Sequence, residues 1–103
     1  MEKKQDKKNI EIELTKEEAS GTYSNLVMIT HSASEFILDF IAVMPGLPKA
    51  KVQKRMIITP EHAKRFSNAL QENLKRYEEL HGKIQTRDKV DQPFNYRGPL
   101  PEA

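Results

Sequence analysis

The chain has 103 residues and a mass of 11.9 kDa, which leaves room for one domain at roughly 100–200 residues each. Its 17 Lys and Arg oppose 15 Asp and Glu, a net charge of +2, and 37% of its residues are apolar; that share is modest but too high for a wholly disordered chain. It has no Cys, which excludes disulfides, thiolate zinc sites and cysteine nucleophiles.

The N-terminal run Met1-Glu2-Lys3-Lys4-Gln5-Asp6-Lys7-Lys8 is basic and has no apolar stretch behind it. It reads as a disordered arm over residues 1–9 rather than a secretion signal, and a cytoplasmic location is expected. A single domain is expected over residues 10–84. Ile10-Glu11-Ile12-Glu13-Leu14 alternates strictly, as a half-buried strand does. Thr15 to Gly21 is a polar connection. Tyr23 to Ser32 predicts a second strand, apolar on both faces through Leu26-Val27-Met28-Ile29. His31-Ser32-Ala33-Ser34 predicts a turn, and Phe36 to Met44 a third strand. That nine-residue run is interrupted by Asp39 and is too short to span ~30 Å of hydrocarbon as a helix. Pro45-Gly46-Leu47-Pro48 reads as a loop, and Ala50 to Thr59 predicts a fourth strand.

At Thr59-Pro60-Glu61 the period changes. Thr suits an N-cap, Pro the first helical position, and Glu the positive end of the helix dipole. Ala63, Phe66, Leu70, Leu74, Tyr77 and Leu80 or His81 then recur at three- and four-residue spacing. The helix is expected over Pro60–His81, with Glu72 and Arg76 as an i,i+4 pair and Gly82 just past its end. The tail, residues 85–103, is polar and contains three Pro; it is expected to be disordered or bound to a partner. The fold class is therefore α+β, a four-stranded antiparallel meander followed by one long helix lying on it.

Residues 22–59 hold 20 apolar side chains in 38 positions, so the two central strands are apolar on both faces. One helix covers one face, and the tail has too few apolar residues to cover the other. An open apolar face of that size exceeds what monomers usually tolerate. A homo-oligomer, a dimer or tetramer with two-fold symmetry, is the expected solution. The face expected to meet another subunit or a polypeptide client carries Leu26, Met28, Ile37, Ile41 and Val43.

Candidate chemistry is sparse. His31, Ser32, Ser34, Glu35 and Asp39 gather catalytic residue types within nine positions, but along a turn and two strands rather than in a cleft; hairpin-turn bonding explains them better. Asp39 has three readings: a guard against aggregation or an edge position, a partner for Lys54 or Arg55 on the adjoining strand, or a functional buried acid. His31, His62 and His81 lack metal-ligand spacing, so no metal, cofactor or enzymatic activity is expected. Lys49, Lys51, Lys54, Arg55, Lys64 and Arg65 oppose only Glu61 within residues 49–65. Lys49, Lys51, Lys54 and Arg55 are thus the candidates for a nucleic-acid surface, although no aromatic residues interleave with them to stack on bases. The mixed charge of the helix disfavours a membrane surface.

The stretches Tyr23-Ser24-Asn25, Ile29-Thr30-His31-Ser32, Glu35-Phe36, Asp39-Phe40 and Met44-Pro45-Gly46 resemble those of a family of small bacterial proteins of unknown function, with a motif H-S-x-x-E-F-x-x-D-F. Ile57 to Arg65 is similar to that family's strand-to-helix junction. The resemblance covers about residues 10–82 and implies no catalytic or binding residue. The order β-β-β-β-α also resembles the subunit of the export chaperone SecB. That likeness implies an assembly of sheets and helices that binds extended, non-native polypeptide along apolar grooves.

Overall fold

The computed structural model describes residues 9–86. The expected basic arm up to Lys8 and the expected tail from residue 87 lie outside the described residues. Within them a one-turn helix α1 (Lys16–Ala19) precedes three strands, β1 (Leu26–His31), β2 (Phe36–Ala42) and β3 (Lys51–Ile58), and a 22-residue helix α2 (Pro60–His81).

The strands form an antiparallel sheet in the order β1-β2-β3, so β2 is central and both outer edges are open among the described residues. This is the expected meander with one strand fewer. Ile10–Leu14 pairs with no strand, and Ile10, Ile12 and Leu14 are 75%, 92% and 70% exposed. A five-residue alternation specifies two faces but supplies no partner, and an isolated extended segment gains too little to order itself against a sheet.

Two turns set the strand register. Between β1 and β2, the Ser32 amide donates to the Glu35 carbonyl, and the Ser32 hydroxyl accepts from the amides of Ser34 and Glu35. The His31 ring stacks on Phe36 at 5.2 Å across the strand ends. At the other end Asn25 stands in for one more strand residue: its Nδ2 donates to the Val43 carbonyl and its Oδ1 accepts from the Val43 amide. After β2, Met44-Pro45-Gly46-Leu47 closes a turn with Gly46 at φ +86° and Leu47 N–H donating to Met44 C=O. Pro at the second position and a positive-φ Gly at the third are the residues a type II turn requires.

Register across β2 and β3 slips once. Phe40 faces Lys54 and Ile41 faces Val52, leaving Gln53 as an extra residue. Paired residues share a face. One face therefore carries Val27, Ile29, Phe36, Leu38, Phe40, Met56 and Ile58; the other carries Leu26, Met28, Ile37, Asp39, Ile41, Val52, Arg55 and Ile57. Both are apolar, as the sequence requires. Among the described residues the buried apolar side chains are Met28, Leu38, Ile41 and Ala42, all on or beside β2.

Helix α2 has the expected bounds and caps. The Thr59 hydroxyl accepts from the His62 amide, Pro60 occupies the first turn, and Gly82 follows at φ +94° with its amide donating to Glu78 C=O. Glu72 and Arg76 approach to 3.9 Å. The helix does not lie on the sheet, contrary to the sequence expectation. Near its start Pro60, Ala63, Lys64, Ser67, Asn68 and Gln71 border an open cleft of about 540 Å³ with Phe36. At about 100° per residue, that side of the helix is roughly a quarter turn from the apolar stripe. Phe66, Leu70, Leu74, Tyr77 and Leu80 are 41%, 48%, 43%, 51% and 78% exposed, and no residue of α2 is buried. Periodicity specifies that a stripe exists, not what it packs against.

Candidate functional site

The hairpin cluster is structural. His31 stacks on Phe36, Ser32 binds the turn backbone, and Glu35 supplies the carbonyl that closes it. Those bonds hold a turn; they do not orient a base toward a nucleophile. Ser67 in the open cleft has only Gln71, whose amide donates to its hydroxyl at 3.5 Å. Among the described residues, no three His, Asp or Glu side chains gather to hold a metal ion, and no helix is long and apolar enough to cross a membrane.

Asp39 is the most buried residue of the sheet, at 1% exposure, in the middle of the central strand. Arg55 lies directly opposite on β3. Its Nε and Nη2 donate to the two carboxylate oxygens at 2.7 and 3.0 Å, a fork-on-fork pair. Of the pairings open from the sequence, the register selects Arg55 and sends Lys54 to the other face. Hydrogen bonding to Asp39 and then the charge of Asp39 raise the Arg55 guanidinium above its ordinary pKa, against a smaller lowering from burial. Arg55 keeps 41% of its side chain exposed while Asp39 keeps 1%, so the carboxylate is the member that depends on the pair.

This pairing divides the expected basic surface. Arg55 is held by Asp39, Lys54 lies 3.9 Å from Glu18, and Lys49 sits in the loop before β3. Lys51 and Lys54 share the face opposite Arg55, because the extra residue Gln53 shifts the alternation between them. That shift was not readable from spacing alone.

Of the residues expected on the apolar face, Leu26, Met28, Ile37 and Ile41 lie on one side of the sheet. Leu26 faces Ile41, Met28 faces Asp39 and Thr30 faces Ile37 across the β1–β2 ladder. Met28 and Ile41 are 2% and 7% exposed, so they serve the protomer's own core. Leu26 and Ile37 are half-buried, and Val43 lies past the end of β2 at 47% exposure. The surface on that side comes instead from Val52 and Ile57 on β3, 36% and 56% exposed. The sequence reading missed both, although Val52 and Ile57 sit in a strand it had placed.

A further exposed apolar surface is the stripe of α2. It runs from Phe66 to Leu80 over about 20 Å at 1.5 Å per residue. With Ile29, Met56 and Ile57 also near half exposure or beyond it, both the sheet and the helix present apolar area to solvent.

No curated protein and no solved structure matches the chain. A family profile does, over residues 1–86, and its description is a protein of unknown function (DUF3467). The profile takes in the hairpin motif, the Asp39–Arg55 pair, the strand-to-helix junction and all of α2, and the chain belongs to that family.

Proposed function

We propose that this protein is a non-enzymatic assembly and binding module. It associates with itself and offers the remaining apolar surface of the sheet to extended or non-native polypeptide. The observation that carries this reading is the uncovered stripe Phe66, Leu70, Leu74, Tyr77 and Leu80 on a helix that buries no residue of its own.

The energetics point the same way. Small domains with few buried residues draw on disulfides, metals or oligomerisation for stability. Among the described residues four apolar side chains are buried, and the chain has no cysteine. Burying a Leu or Phe completely contributes about 1.5–3 kcal/mol, and these side chains still have about half of that to gain. A second copy supplies the same stripe in return, which is the self-complementarity a two-fold interface needs. The open edges of β1 and β3 favour an extended ligand, because a sheet edge offers main-chain hydrogen bonds to any strand.

The test has two parts. Light scattering on the full chain is expected to give a multiple of the protomer mass. An aggregation assay with an unfolded client is expected to show suppression that weakens in Ile57→Asp. Ile57 is more informative than Ile41 here, since Ile41 is buried and an acidic substitution there tests folding. A fully monomeric chain with no effect on the client overturns the proposal.

A further inference from the structure

We infer that Ile10–Leu14 acts as a fourth strand in trans, adding to the open outer edge of β3 in a second copy of the chain. The inference rests on the self-association proposed above and names one of its contacts.

The segment is extended in sequence character yet unattached. Its odd positions are acidic and its even positions apolar, and Ile12 is 92% exposed. It makes no backbone hydrogen bond to any strand among the described residues. The edge of β3 has the complementary pattern. Lys51 and Lys54 share one face, and Val52 and Ile57 emerge on the other, still exposed. A strand laid along this edge sets Glu11 and Glu13 beside the two lysines while its apolar row extends the face of Val52 and Ile57. Opposite charges on neighbouring strands are favourable, and like faces must coincide for the added strand to bury anything.

The other open edge does not fit. β1 reads Leu26-Val27-Met28-Ile29-Thr30-His31 and has no Lys or Arg to answer two glutamates. Lysines on an edge strand ordinarily deter pairing with apolar strands, and the same lysines admit an acidic one, which makes the edge selective. The donor comes from a second copy because, within one chain, this segment pairs with no strand among the described residues even though the adjoining Glu18 approaches Lys54 to 3.9 Å. Reciprocal donation between two chains closes with two-fold symmetry.

The absence of cysteine makes the test direct. The single-cysteine variants Glu11→Cys, Glu13→Cys, Lys51→Cys and Lys54→Cys are mixed as acidic–basic pairs and oxidised, with Glu13→Cys plus Ser67→Cys as the control. At least one acidic–basic mixture is expected to give a disulfide-linked heterodimer well above the control, since paired strands bring Cα atoms within bridging range. In parallel, Glu11→Lys with Glu13→Lys is expected to weaken self-association roughly tenfold, and mixing it with Lys51→Glu/Lys54→Glu chains is expected to restore it. No heterodimer link above the control overturns strand addition in trans. If the wild-type chain still scatters as an oligomer in that case, self-association stands without this contact. A monomeric wild-type chain overturns both.

Discussion

Asp39 shows how one polar residue is kept in an apolar strand. It sits at 1% exposure between Ile37 and Ile41, and both of its oxygens accept from Arg55. Removing one member of a buried pair is costly when it strands the other as a desolvated charge. The two members are not equivalent here, because Arg55 is 41% exposed and turns to water if released. Arg55→Ala is therefore expected to destabilise the fold more than Asp39→Leu in urea unfolding; the reverse order would show that the carboxylate is not held by this pair. The Arg55 shift has a definite sign. A raised pKa gives a contribution that is complete below the unfolded-state value and lost only as pH rises through the folded-state value. Both lie above the ordinary range of proteins, so the contribution of Arg55 is expected to stay flat through neutral and mildly alkaline pH. The choice of Arg55 over Lys54 was only half legible in the sequence: opposite charge on the next strand was visible, but the deciding face depended on Gln53 and its register slip.

At the scale of elements, α2 was legible to its ends because its caps are local chemistry. Thr59, Pro60 and Gly82 each act within a turn of their own position. Thr59→Ala is expected to cost about 1 kcal/mol, read as a drop in Tm of roughly 4–8 °C. The hairpin between β1 and β2 was legible for the same reason, through Ser32 and the residues it binds. What periodicity did not carry was docking. The stripe from Phe66 to Leu80 reads identically whether it covers the chain's own sheet or a second chain. In the structure its first turns border an open cleft with Phe36, while Phe66, Leu70, Leu74, Tyr77 and Leu80 remain exposed. Likewise Ile10–Leu14 announced two faces and no partner. Leu70→Glu with Leu74→Glu tests this level. Neither leucine is buried within the protomer, so helical circular dichroism is expected to persist while the associated mass falls. Loss of helix together with mass would mean that the stripe also holds the protomer.

For the whole molecule, the proposed function turns on the balance of surface and core. A three-stranded sheet with apolar residues on both faces and a helix that stands off it leave more apolar area than four buried side chains can justify in a lone protomer. The family description, a protein of unknown function, names no activity, and the proposed function is argued from this exposed apolar area. The central claim is that a second copy covers it. Sedimentation or light scattering of the intact chain across a wide concentration range measures this directly. The account predicts a mass of two or more times 11.9 kDa, falling when Leu70 and Leu74 are made acidic. A species of 11.9 kDa at every concentration, with α2 still folded, would contradict it.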